Sequence, residues 1–131
     1  MKKLYFVLLL LVAYLGPQAV IEANMGRNTL LFVPLDNRPV CLDYTVESMK
    51  AAGWNVETPP LEYIASNDHS GDPDKLYAWL AERSATANAI VVSSDALIYG
   101  GLVDSRTHHL PKETLTARAE RLLNLKANGG D

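Results

Sequence analysis

An unbroken apolar segment at residues 30–35 constrains the fold more than any other feature of this sequence. It lies between Asn28 and Asp36, and at six residues it is shorter than a typical helix. A short continuous apolar segment is typical of a strand that is buried on both faces of a parallel sheet. We therefore expect this strand to lie between two layers of helix.

Strand and helix signals alternate along the rest of the chain. Apolar residues at helical spacing predict helices, short apolar segments predict further strands, and proline and glycine predict where elements begin and end. The predicted elements are, in chain order, a helix carrying Leu42, Val46 and Met49, a strand over residues 54–58, a helix that begins at Asp72 and Pro73, a strand over residues 89–94, and a helix that begins at Pro111.

This alternation predicts an α/β fold of three layers, with a parallel sheet built from repeated strand–helix units like half of a flavodoxin-like or Rossmann-like fold. Such a sheet needs more than three strands, and the chain stops just after a helix. We therefore expect residues 24–131 to be the N-terminal part of a truncated α/β domain, incomplete at its C-terminus. The remainder of the polypeptide is expected to cover the apolar stripe of the last helix, which is formed by Leu115, Ala119, Leu122 and Leu123.

Residues 1–23 have the order of a secretory signal peptide. Lys2 and Lys3 precede an apolar run over residues 4–15, and Gly16 and Pro17 follow it. As a helix the run would span about 18 Å, less than the roughly 30 Å hydrocarbon core of a bilayer. The sequence therefore predicts export to the periplasm or cell envelope, with membrane contact only through this signal, and an uncleaved anchor remains the alternative.

Charge and cysteine content exclude several classes of partner. The chain has 12 Lys+Arg against 15 Asp+Glu, a formal net charge of −3. Such an acidic balance argues against a nucleic-acid partner, which needs a basic surface. The single cysteine, Cys41, excludes an internal disulfide and a Cys-rich zinc site. The sequence indicates no metal site, and it leaves the cofactor undetermined.

Unusual polar residues follow the first and third predicted strands, whereas the second strand ends only in Pro59 and Pro60. Ligands of parallel α/β sheets bind at the carboxyl ends of strands. If strands one and three are neighbours, Asp36 and Asp95 lie close enough to share a pocket. Two carboxylates in one pocket are suited to acid–base chemistry, so both are candidate catalytic residues.

Five further residues are candidate ligand contacts. The planar guanidinium groups of two arginines could hold a carboxylate or phosphate, and a glycine pair could bring the backbone close to a ligand. Structural alternatives remain open: Asp36 could pair locally with Arg38 or accept backbone hydrogen bonds, Asp95 could cap its turn, the glycines could form a plain tight turn, and the arginines could be ordinary surface residues. The candidate contacts are Arg38, Tyr99, Gly100, Gly101 and Arg106.

The same segments carry a resemblance to a known family. PLDNRPV at residues 34–40, the Pro59-Pro60 step and SDALIYGGLVDSR at residues 94–106 resemble the bacterial domain-of-unknown-function family 4127. The resemblance covers about residues 30–125. It implies a longer parent protein, because members of that family are several hundred residues long, and it implies no function.

Two functions fit these residues. The first is a hydrolase-like enzyme acting on a carbohydrate or another polar small molecule, with Asp36 and Asp95 in acid–base roles. The alternative is a non-catalytic envelope protein that binds a sugar or an anionic ligand. A carboxylate with a raised pKa would favour the enzyme, and two arginines converging on one gap would favour the binding protein.

The signal predicts that the mature protein begins near Val20 or Asn24, since the small residues Ala19 and Ala23 precede these positions. N-terminal sequencing of the protein recovered from the cell envelope measures this directly. Recovery of the chain from the cytoplasm with Met1 intact would contradict the prediction.

Overall fold

The computed structural model describes residues 28–126, so the predicted export signal lies outside the described residues. Within that range, no helix is long and apolar enough to cross a membrane. Two 3₁₀ turns, Leu61–Tyr63 and Ser84–Thr86, flank the second helix. The strands and α-helices are β1 (Thr29–Val33), α1 (Asp43–Ala51), β2 (Asn55–Glu57), α2 (Pro73–Arg83), β3 (Ala89–Val92), α3 (Ser94–Ile98), α4 (Leu102–Thr107) and α5 (Lys112–Leu123).

The three strands form one parallel sheet in the order β2-β1-β3. In the register, Leu31 of β1 lies opposite Glu57 of β2 on one side and Ile90 of β3 on the other. The predicted three-layer α/β fold is therefore confirmed, and the first and third strands are neighbours. Because all three strands run in the same direction, their carboxyl ends lie at one edge of the sheet.

Both faces of β1 are buried. Successive side chains of a strand point to opposite sides, so alternate residues of β1 pack into different layers. Leu31 and Val33 are fully buried against α2 and α3, and Leu30 and Phe32 are buried on the opposite face with Leu42. The first group packs with Ile64, Leu76, Trp79, Leu80, Ala87, Ala96 and Leu97, and the second with Val46, Met49, Trp54, Val56 and Ala89.

The helix boundaries follow local signals in the sequence. Asp72 caps α2 by accepting hydrogen bonds from the backbone N–H groups of Asp74 and Lys75, and Pro73 occupies the first helical position. Gly53 follows α1 with a φ of +94°, a conformation that side chains disfavour. The predicted beginning of α2 and end of α1 are therefore confirmed.

The segment after β3 differs from the sequence-based expectation. The strand ends at Val92, two residues before the predicted end, because the Ser93 side chain accepts a hydrogen bond from Ala96 N–H and so begins α3. Burial of Ala96 and Leu97 then holds α3 against the sheet. The segment after β3 thus contains two short helices, α3 and α4, which the sequence analysis did not predict, and residues 99–101 join them.

Arginines as well as apolar contacts hold α5 in place. Arg121 donates a hydrogen bond of 2.6 Å to the Asp74 carboxylate on α2, and Arg118 donates one of 2.9 Å to the Ile98 carbonyl at the end of α3. The hydrogen bond from Arg121 lowers the pKa of Asp74. Of the predicted apolar stripe, Leu122 packs against the core, whereas Leu123 is 81% exposed.

Replacing Leu31 with alanine should lower the free energy of unfolding by about 2–5 kcal/mol, because a fully buried leucine leaves a cavity that neighbouring side chains fill poorly. The matched control is Leu123→Ala, which removes the same atoms from an exposed site and should change stability by less than about 0.5 kcal/mol. Urea denaturation measures both variants. Equal losses would show that β1 is not the centre of the core.

Candidate functional site

A pocket of about 390 Å³ lies at the edge of the sheet where the strands end. Its walls come from three segments: the turn after β1, the loop at residues 65–70 after β2, and the beginning of α4 after β3. Most of its lining side chains carry carboxylate, amide or hydroxyl groups. The lining residues are Asp36, Asn37, Arg38, Ala65, Ser66, Asn67, Asp68, His69, Ser70, Leu102, Val103 and Asp104.

Asp36 and Arg38 form a paired charge in the first wall of this pocket. Arg38 Nη2 donates to Asp36 Oδ2 at 2.7 Å, and Arg38 Nε donates to both carboxylate oxygens at 2.9 and 3.0 Å. The backbone N–H of Arg38 also donates to Oδ1 at 3.1 Å. Asp36 is buried, whereas the arginine side chain is half exposed. This local pairing is the arrangement that the sequence left open as a structural role for Asp36.

The pairing holds Asp36 in its ionised form. The hydrogen bond from the Arg38 side chain lowers the pKa of the Asp36 carboxyl below its usual value of 3.8, although burial acts in the opposite direction. An ionised carboxylate can accept hydrogen bonds or act as a base or nucleophile, but it cannot donate a proton. Asp36 is therefore suited to accepting a hydrogen bond from a ligand and not to the role of general acid.

The second wall is a compact turn anchored to the first. Asn37 N–H donates to the Ala65 carbonyl at 2.9 Å, which fixes the beginning of the loop beside the turn after β1. Within the loop, Ser66 N–H donates to the His69 carbonyl, and Ser66 Oγ accepts from the backbone N–H groups of Asp68 and His69. The loop is thus shaped by its own hydrogen bonds.

A contact between glycines joins this loop to the segment after β3. Gly71 N–H donates to the Gly100 carbonyl at 2.8 Å, and a Cβ atom on Gly71 would lie 2.6 Å from that oxygen. A Cβ atom on Gly101 would lie 2.8 Å from Ala65 Cβ. Gly100 and Gly101 therefore allow a close approach between two pieces of chain, and neither lines the pocket.

A single side-chain hydrogen bond joins the second wall to the third. Ser70 Oγ donates to Asp104 Oδ1 at 2.6 Å, and the two residues lie 34 positions apart in sequence. Asp104 is in the first turn of α4, where a negative charge interacts favourably with the helix dipole. Its carboxylate therefore lies at the junction of two walls of the pocket.

The pocket includes some of the predicted site residues and omits others. Asp36 and Arg38 line it, whereas Asp95, Tyr99 and Arg106 do not. Asp95 is in α3, and its backbone carbonyl accepts hydrogen bonds from the N–H groups of residues 99, 100 and 101. The Tyr99 ring packs against His108, with ring centroids 4.8 Å apart. A shared acid–base role for Asp36 and Asp95 remains a prediction.

Sequence reasoning missed the contribution of the loop after β2 and of Asp104. The signal for the loop was a run of short polar residues, Ser66 to Ser70, directly before the cap at Asp72. Asp104 lies inside the motif at residues 94–106, but only the structure shows that it is in the first turn of a helix that lines the pocket. The three walls are brought together by tertiary contacts that no local pattern encodes.

Neither a metal site nor a reactive thiol is apparent in the described part of the chain. No three His, Cys, Asp or Glu side chains within residues 28–126 are grouped so that they could hold a metal ion. Cys41 lies 3.8 Å from Arg38 Nη2, and burial raises the pKa of its thiol from 9.0. A protonated thiol is a poor nucleophile, so this cysteine is not a candidate catalytic residue.

The fold and pocket define a protein of the parallel α/β class with a polar site at the carboxyl edge of its sheet. The family model described as "Protein of unknown function (DUF4127)" matches residues 30–131, so the chain belongs to that family. No curated protein and no solved structure gives a significant match. The match of the family model therefore confirms the resemblance of the motifs, and the family's description gives no function.

Replacing Asp36 with asparagine should lower the free energy of unfolding by about 1–2 kcal/mol near pH 7, because the pairing with Arg38 is lost. The folded-state pKa of Asp36 lies below the unfolded value of 3.8, so its contribution is present above that value and is lost as pH falls through the folded-state pKa. The difference between the native protein and Asp36→Asn should therefore shrink below about pH 4.

Urea denaturation at a series of pH values measures this difference. The control is Glu47→Gln, which changes an exposed carboxylate on α1 and should alter stability by less than about 0.5 kcal/mol. A difference between the native protein and Asp36→Asn that stays constant from about pH 7 to about pH 3 would contradict the pairing.

Proposed function

We propose that the pocket binds a hydroxyl-rich small molecule of the carbohydrate class. One observation carries the proposal: side chains from three separate strand ends surround a single space of about 390 Å³, and most of them offer oxygen or amide groups. Ligand sites in proteins commonly have volumes of about 300–1,000 Å³, and those of parallel α/β sheets lie at this edge.

The pairing of Arg38 with Asp36 favours a hydroxylated ligand over an anion. Arg38 already uses Nε and Nη2 on Asp36, so a phosphate or carboxylate would have to compete with that pairing. Arg106, the second arginine expected in an anion site, does not line the pocket. Sugar hydroxyls can instead donate to carboxylate oxygens and can either donate to or accept from amides.

Hydrolysis is a second candidate, because Asp36 and Asp104 are two of the three carboxylates that line the pocket. Glycoside hydrolases use a pair of carboxyl groups, one of which acts as a base or nucleophile. The ionised Asp36 is suited to that role. We further propose that the protein meets its ligand outside the cytoplasm, since residues 1–23 have the pattern of an export signal.

Binding of neutral mono- and disaccharides to the full chain, measured by calorimetry, tests the proposal. Asn37→Ala removes an amide that lines the pocket and should weaken binding about three- to ten-fold, the usual effect of one hydrogen bond. The matched control is Asn124→Ala, an exposed asparagine at the end of α5, which should leave binding unchanged. If no saccharide binds, or if both variants weaken binding equally, the proposal fails.

Release of reducing ends from oligosaccharides separates the two candidates. If the protein is a hydrolase, turnover is observed and Asp36→Asn abolishes it. If the protein only binds, the saccharide is retained intact. The variant Asp95→Asn, measured in the same assays, tests whether Asp95 belongs to the site, because it does not line the pocket in this structure.

A further inference from the structure

We propose that this pocket selects a hydroxyl-rich ligand that carries a positive charge, such as an amino sugar, over its neutral counterpart, and disfavours the corresponding sugar acid. This inference rests on the proposed carbohydrate binding and adds a charge preference to it.

The charges that line the pocket are unequal. The pocket is lined by three carboxylates, those of Asp36, Asp68 and Asp104. Among the described residues that line it, Arg38 is the only lysine or arginine. With His69 counted as neutral, the lining has a formal charge of −2. The pocket as a whole is therefore more attractive to a cation than to an anion.

Arg38 compensates Asp36 and leaves the other two carboxylates uncompensated. Its hydrogen bonds of 2.7–3.0 Å to Asp36 pair the two opposite charges. Within residues 28–126, no ion pair within 4.0 Å includes Asp68 or Asp104. The negative charge that a ligand meets is thus that of the loop after β2 and the beginning of α4.

Asp104 is the stronger of the two uncompensated groups. It is partly buried, and Ser70 supplies one short hydrogen bond of 2.6 Å to its Oδ1 atom, which leaves acceptor capacity on both oxygens. Asp68 is exposed, so solvent screens it more. A protonated amine has three donors on a compact charge and can satisfy such a carboxylate together with nearby hydroxyl oxygens.

A ligand carboxylate would meet the opposite situation. Its charge would face Asp104 and Asp68 across the pocket, and like charges held close together repel. The arginine that could offset this repulsion is bound to Asp36. The arrangement of charges therefore ranks ligands of one shape in the order amine, neutral sugar, acid.

Matched ligands test this order on the full chain. The probes are the neutral sugar, the 2-amino sugar and the uronic acid of the gluco, galacto and manno series, titrated by calorimetry near pH 7, where such amines are mostly protonated. In at least one series the amino sugar should bind about five-fold or more tightly than the neutral sugar, and the acid should bind more weakly. The preference should shrink when ionic strength rises from about 0.01 M to about 0.15 M.

Asp104→Asn separates charge from shape, because asparagine has nearly the same size and can still accept the hydrogen bond from Ser70. The ratio of amino-sugar to neutral-sugar affinity should fall toward one in this variant. The matched control is Asp43→Asn on α1, which lies outside the pocket and should leave the ratio unchanged.

The outcomes distinguish the two proposals. If neutral sugars bind as tightly as amino sugars, or if uronic acids bind best, the charge preference is wrong and carbohydrate binding stands. If Asp104→Asn leaves the ratio unchanged, the assignment to Asp104 is wrong. If no member of the three series binds, the proposed function itself fails.

Discussion

The burial of β1 on both faces is the constraint on which the rest of this structure depends. Leu31 and Val33 are buried toward one helical layer, and Leu30 and Phe32 toward the other. A strand in that position needs neighbours on both sides, and β2 and β3 pair with it in parallel. Because the pairing is parallel, the segments that follow the three strands all begin at one edge of the sheet. The apolar strand that organises the core therefore also determines where the pocket lies.

Close backbone contacts then hold the segments after the strands together as the walls of one pocket. The hydrogen bond from Gly71 to Gly100 and the contact of Gly101 with Ala65 bring the loop after β2 against the segment after β3. Gly71 has no room for a Cβ atom, because that atom would lie 2.6 Å from the backbone oxygen of Gly100. Gly100 and Gly101 thus help to set the distance between the walls of the pocket, and their contact with a ligand remains a prediction.

The sequence predicted the features that local chemistry determines. The apolar segment of β1, the Asp72 cap and the glycine after α1 each act over a few residues, and each matches the structure. The short helices after β3 were not predicted, because α3 and α4 span only five and six residues, and α3 is held by the burial of Ala96 and Leu97. The site was predicted only in part for a similar reason: the loop at residues 65–70 reaches it through contacts with distant segments.

The difference between local and long-range contacts also explains why Asp36 and Asp104, two carboxylates of one pocket, have different properties. Asp36 is paired with an arginine two positions away, so the residue that compensates its charge lies in the same turn. Asp104 interacts with Ser70, 34 residues away, and gains a hydrogen bond, but it forms no ion pair with any residue in the range 28–126. The local pair therefore neutralises its own charge, and the long-range contact places the Asp104 carboxylate in the wall of the pocket. Because binding to the folded state alone stabilises a protein, a ligand that contacts all three walls should also raise the free energy of unfolding.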